Sequence, residues 1–230
     1  TNHHSFDRGH PLPNAAGVLA GAGHLLVSVP PDEEGDPVLD CHRFDIMDLA
    51  RGGTLKWIAY LSTTGVYGDH QGGWVDETTP TAPTSDRSRY RVAAENAWLQ
   101  LGRDADVPVQ VFRLAGIYGP GRSQIDAVRA GKAHRIHKPD QLFSRIHVDD
   151  VAGILRASIA HPRAHAIYNV CDDEAAAPDQ VIAFAAEQLG VAPPPRVKFD
   201  EAELSPMARS FYADNKRVRN QLLKTELGYT

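Results

Sequence analysis

The sequence predicts a three-layer α/β fold, a parallel sheet with helices on both faces and a small C-terminal lobe. Three observations predict it. Residues 57–61 (WIAYL) form an unbroken apolar run of strand formers, the pattern of a strand buried on both faces. Similar runs at 25–29 (LLVSV) and 107–114 (VPVQVFRL) are separated from it by stretches of helical period. The central run ends in Ser62, Thr63 and Thr64, followed by Gly65 and Gly68. Hydroxyls and a glycine turn at the carboxyl end of a buried strand stand where open α/β sheets hold their ligands.

With 230 residues the chain can bury one sizeable core plus an appended lobe. Its 42% hydrophobic and 23% charged content is ordinary for a globular chain. A net charge of −5 does not attract nucleic acid or anionic membrane, so neither is an expected partner. Cys41 and Cys171 share no metal spacing and read as reduced core thiols. No apolar window approaches a membrane span and no signal peptide is visible, which leaves a cytoplasmic location by elimination.

In order along the chain, the first ten residues are polar and patternless. A nucleotide-binding α/β domain opens with a strand, a glycine-rich turn and a helix. Here Gly21 and Gly23 precede a strand instead, and Leu26 stands where a third glycine would fall, so they read as a turn. Residues 25–29 are the first strand, stopped by Pro30 and Pro31. An acidic loop follows, then a helix over 38–51 ended by Gly52 and Gly53. After the central strand, Pro80, Pro83 and a Ser/Thr/Asp cluster make 69–86 a loop. Ser85 or Asp86 caps a helix over 87–101, with Val92, Ala93, Asn96, Ala97 and Leu101 on its stripe. Residues 107–114 are the next buried strand, followed by a glycine-rich turn and a short helix at 123–131. Asp149 is the expected cap of a helix over 151–159. A strand at 166–170 and an amphipathic helix at 178–190 follow, the latter closed by glycine. Three prolines at 193–195 stiffen the connector to a last helix near 216–227.

Five stretches, LSTTGVYGD, FRLAGIYGPGR, SRIHVDD, AIYNVCDDE and SPMARSFYADNKRV, occur in the order found in the extended short-chain dehydrogenase/reductases. The chain resembles that family, the NAD-dependent epimerase/dehydratase group, over nearly its whole length. Its last stretch resembles an atypical, YeeZ-like subgroup. The resemblance implies a Rossmann-type sheet, NAD or NADP as cofactor, and a sugar or nucleotide-sugar type substrate. It divides the chain into a partial NAD(P)-binding domain (1–120 and 145–170) and a substrate-binding lobe (121–144 and 171–230). Against the family the chain begins after the first βαβ unit, and its C-terminus also reads as clipped. These 230 residues are therefore expected to bind dinucleotide weakly or not at all.

By the same resemblance, Ser28, Val29, Pro30, Leu61, Ser62, Arg113, Ala115, Gly116 and Ile117 line the cofactor. Thr64, Tyr118, Arg122 and Arg145 face the substrate. Thr63 holds the family's hydroxyl position, counted back from Val66, Tyr67 and Gly68. The family's next helix carries a Tyr as general acid/base, a Lys four residues on, and commonly a Glu at eight. With Glu95 in the Glu position, Arg91 takes the Lys position and Arg87 the Tyr position. Tyr90 is the only tyrosine of that helix and stands about 60° round it from the Tyr position. Thr63, Tyr90 and Arg91 are thus the catalytic candidates, although arginine holds charge without titrating. Two functions follow: an oxidoreductase or epimerase with an altered triad, or a non-catalytic NAD(P)-binding sensor or scaffold.

Arg122, Arg129, Lys132, Arg135, Lys138 and Arg145 face only Asp126 and Asp140 locally, a basic stretch suited to a diphosphate. His134 and His137 lack a third ligand at usable spacing, so no metal is expected. The helix over 87–101 is expected at a homodimer interface, with Trp98 and Leu101 supplying apolar area.

Overall fold

The computed structural model describes residues 2–229. A single helical turn, α1 (Ala15–Val18), precedes β1 (His24–Val27) and α2 (Pro37–Arg51). The central strand β2 (Trp57–Thr63) runs into a tight turn of 3-10 helix (Thr64–Tyr67). Then come β3 (Trp74–Val75), α3 (Asp86–Ala105), β4 (Val109–Leu114) and β5 (Gly116–Tyr118). The chain continues through α4 (Gln124–Arg129), β6 (Arg135–His137), β7 (Arg145–His147), α5 (Val148–Ala160) and β8 (Ile167–Val170). It ends with α6 (Pro178–Gln188), β9 (Arg196–Lys198), α7 (Pro206–Phe211), β10 (Arg217–Val218) and α8 (Gln221–Leu227).

The main sheet has the order β1-β2-β4-β8 and is parallel throughout. Side chains of β2 alternate with the period of two that a strand imposes. Ile58 and Tyr60 pack with Trp98, Leu101 and Ile46 under α2 and α3. Trp57 and Ala59 pack with Phe112, Ile154 and Tyr168 under α5, joined by Leu223 and Leu227 of α8. Helices therefore cover both faces, which is why the strands read as continuous apolar runs. Among the described residues no helix is long and apolar enough to cross a membrane.

Local chemistry sets the element ends. Ser85 caps α3, accepting the Ser88 N–H, and Asp36 caps α2 through the Val38 and Leu39 N–H groups. Gly68 leaves the 3-10 turn at φ 70°, and a Cβ there would lie 1.9 Å from the Ala82 carbonyl oxygen, so only glycine fits.

Five expectations need correction. Trp98 and Leu101 are fully buried, and the Trp98 indole donates to Asp36, so neither is available to a dimer partner. His147, not Asp149, caps α5: its Nδ1 accepts the Asp149 N–H. Residues 74–75, inside the expected loop, pair in parallel with 217–218. That pairing starts the last helix later than its periodicity suggested, at Gln221. The same helix packs in the sheet's core and not with the lobe to which 171–230 was assigned. The lobe itself is held by β6 pairing with β9 and by α4 lying on α6.

Candidate functional site

Because the main strands are parallel, their carboxyl ends share one edge, and the candidate site lies along it. Ser28 and Pro30, just beyond β1, are exposed, and Val29 is half-buried. Thr63 ends β2, half-buried, and its Oγ1 accepts the Gly65 N–H at 3.1 Å. Its hydroxyl hydrogen has no acceptor among the described residues, so it is free to donate. Thr64, next to it in the chain, is half-buried, as are Ile117 and Tyr118 of β5, and Gly116 is exposed.

Beneath this edge runs a buried polar chain. Ser62 Oγ donates to Glu95 at 2.5 Å, and Glu95 takes Nε and Nη2 of Arg113 at 3.1 and 2.7 Å. Arg113 Nη1 reaches the Tyr67 hydroxyl at 2.9 Å, and that hydroxyl donates to Asn169 Oδ1 at 2.8 Å. The Asn169 N–H in turn donates to Glu77 at 2.8 Å. Burial pushes the Tyr67 phenol above its usual range, against the pull of Arg113. Burial likewise raises the Glu77 carboxyl. Each of the three nitrogens of Arg113 has a partner in this chain, and Arg113, Ser62 and Ala115 are all buried. One sequence signal marks this chain: a lone arginine inside the buried run VQVFRL must find a carboxylate.

Arg91 does come to the end of β2. Its Nη1 donates to the Leu61 carbonyl at 2.8 Å and to the Tyr60 hydroxyl at 3.1 Å. Burial pushes Tyr60 up to about 12, with Arg91 pulling the other way. Tyr90 does not join them. It lines a groove of about 400 Å³ between α3 and the acidic segment that precedes α2, and Thr63 is not in that groove's wall. Arg8 closes on this segment through Asp32, Glu34 and Asp40. The side chain that instead meets the Thr63 turn is Ser88, buried on α3. A Cβ on Gly65 would sit 3.0 Å from Ser88 Oγ and 3.4 Å from Thr63 Oγ1. Arg87, in the family's Tyr position, is exposed.

The far wall is built by β5 and β7, which pair in parallel. Tyr118 packs edge-on against His147, ring centres 5.2 Å apart. Burial and then the charge of Asp172 push the Tyr118 phenol up. Arg145 donates to the carbonyls of Phe143 and Ala176 at 3.0 and 3.2 Å, and no carboxylate pairs with it among the described residues. Burial lowers its pKa. The basic stretch does not converge on one surface. Arg129 pairs with Asp126, Arg135 donates to the Asp179 carbonyl, Lys138 donates to the Tyr212 carbonyl, and Arg122 and Lys132 are exposed.

A parallel sheet covered by helices on both faces, with a hydroxyl-bearing strand end at its carboxyl edge, defines the class of open α/β proteins. Within that class, the model of the NAD dependent epimerase/dehydratase family matches residues 42–171, and the chain belongs to that family. Protein YeeZ of Escherichia coli (strain K12) is 33% identical over 152 residues, 65% of this chain and 52% of that protein. The chain thus spans about half the length of the curated relatives it matches. A solved structure, a functionally unknown conserved protein from Silicibacter pomeroyi DSS, is 54% identical with a TM-score of 0.85, covering 92% of this chain and 73% of that one. MoeE5 in complex with UDP-glucose and NAD is 21% identical with a TM-score of 0.75, covering 95% and 77%.

Proposed function

We infer that the chain serves an NAD(P)-dependent oxidoreductase or epimerase acting on a sugar-type substrate, with Thr63 as the hydroxyl that holds the reacting oxygen. The observation that carries this reading is the state of Thr63. One lone pair is used by the Gly65 N–H, and the hydroxyl proton is left to donate at the ligand edge of the sheet. Donation to an oxygen that gains negative charge is the interaction that lowers a barrier.

The edge fits the nicotinamide and ribose end of a dinucleotide. Ser28, Pro30 and Gly116 are uncovered, and Val29 and Ile117 supply half-buried apolar contact. Leu61, Ser62, Arg113 and Ala115 act from beneath, by fixing the strand ends. A bound nicotinamide would supply hydride transfer. Thr64, Tyr118, Arg122 and Arg145 take the substrate side, with Arg145 a half-buried cation that has no carboxylate partner among the described residues. Arg91 holds the end of β2 in place and cannot move a proton. MoeE5, which shares the fold, was solved with NAD and UDP-glucose, and this supports the choice of cofactor and substrate class.

A second reading, an NAD(P)-binding protein without turnover, is favoured by Arg87 and Arg91 in place of the family's Tyr and Lys. One experiment separates the two. NADH and NADPH are titrated by fluorescence, and hydride transfer from UDP-glucose to added NAD+ or NADP+ is then followed at 340 nm as the reduced cofactor forms. Saturable binding with turnover that Thr63→Val abolishes supports the enzyme. Binding without turnover supports the second reading, and turnover left unchanged by Thr63→Val sinks the first. We also propose that two copies associate through α2 and α3, with the 79%-exposed Phe44 as the apolar centre of the contact.

A further inference from the structure

Away from the sheet edge, a cavity of about 320 Å³ opens in the lobe between the loop at 138–142, the first turn of α6, β9 and β10. Its polar wall is made by His137, Lys138, Gln141, Asp179, Arg196 and Arg217, with Asp140 at the rim. Arg196 is matched: Nε donates to Asp179 at 2.8 Å and Nη2 to His137 Nδ1 at 2.7 Å. Lys138 and Arg217 have no carboxylate partner among the described residues. Lys138 donates to the Tyr212 carbonyl, and the Arg217 guanidinium lies 5.8 Å from the centre of the Trp74 ring.

Two polar atoms in this wall are unpartnered, Gln141 Oε1 and Arg217 Nε. Gln141 is 1% exposed, and its Nε2 donates to the Asp214 carbonyl at 2.8 Å. That bond sets the orientation of the amide, so the orphan is an acceptor. A buried acceptor without a donor is a standing cost, which a ligand hydroxyl would recover. Gln141 and Arg217 both line the cavity. The apolar lining is limited to Leu142 and Ala177, with no Phe, Tyr or Trp to stack a base. The volume lies at the low end of the ~300–1,000 Å³ typical of ligand sites.

We propose that this cavity binds a sugar phosphate, with Arg217 and Lys138 holding the phosphate and a sugar hydroxyl donating to Gln141 Oε1. Unpaired guanidinium and ammonium groups match a phosphate. The orphan acceptor matches a hydroxyl, and the wall offers no Phe, Tyr or Trp face to a base. The site goes beyond the redox reading, and its test needs no nicotinamide, so the two stand or fall separately.

The test is calorimetric titration of the whole chain with ribose 5-phosphate, inorganic phosphate and UMP. Ribose 5-phosphate should bind about tenfold tighter than inorganic phosphate, the worth of one good hydrogen bond to a buried partner. Arg217→Gln should weaken both by about tenfold or more. Gln141→Leu should bring ribose 5-phosphate down to the level of inorganic phosphate and leave inorganic phosphate unchanged. Lys138→Gln, at a half-buried site, repeats the charge test should Gln141→Leu fail to fold, which urea denaturation reports. Equal binding of the two phosphates, no binding by the unaltered chain, or tighter binding of UMP would each overturn the proposal. So would unchanged binding in both Arg217→Gln and Lys138→Gln.

Discussion

Glu95 shows how much one side chain carries at the residue scale. It is 2% exposed and receives Ser62 from β2 and Arg113 from β4, so it ties α3 to two strands just below the ligand edge. Glu95→Ala leaves Arg113 buried and unpaired, and urea denaturation should show a loss of about 3–5 kcal/mol. A loss under about 1 kcal/mol would mean that water already reaches the pair. For the proposed chemistry, Thr63→Val keeps the shape and removes the free hydroxyl. Turnover should fall about a hundredfold, or ~3 kcal/mol, while Tyr90→Phe leaves the rate within about twofold, because Tyr90 faces another groove. A slow Tyr90→Phe variant would return Tyr90 to the acid/base role. Glu77 offers a test of linkage. Burial raises its folded pKa above the ordinary 4.5, so the folded state favours the protonated acid. The stabilisation it contributes is complete below the unfolded pKa and is lost as pH rises through the folded value. Glu77→Gln removes that loss and can still accept the Asn169 N–H. Its stability relative to the unaltered chain should therefore rise between pH 4 and pH 7.5, and a flat difference in urea titrations would contradict the burial argument.

At the scale of elements, strand ends and turns place the site. The turn that carries Thr63 closes through Gly68, whose φ of 70° and contact with Ala82 admit no side chain. Gly68→Ala must adopt a left-handed conformation and displace a carbonyl, so it should cost more than about 3 kcal/mol in thermal or urea unfolding. A near-neutral Gly68→Ala would show that the 81–83 segment yields freely. The long elements were legible because their period is local: β2, β4, α2 and α3 come from spacing that a window of a dozen residues contains. The pairing of β3 with β10 was not legible. It joins residues more than a hundred positions apart, and two-residue strands have no period of their own.

At the scale of the whole molecule, burial decides which apolar residues remain for association. Trp98 and Leu101 belong to the core, whereas Phe44 on α2 is an exposed aromatic. Sedimentation at tens of micromolar should show a dimer that Phe44→Glu dissociates. A monomer before substitution would remove the proposed interface.

The sequence by itself determined the parallel α/β architecture, because buried strands and helical stripes are written in local order. It also marked Arg91 as a fixed cation and read Arg113 as a cofactor contact, whereas the structure pairs Arg113 with Glu95. Only the tertiary structure decided that Arg91 binds the strand it faces, that Tyr90 turns away, and that the basic stretch disperses. It alone assembled the cavity around Gln141 and Arg217. Those outcomes depend on which distant side chain reaches a buried charge or amide first, and no local pattern encodes that competition.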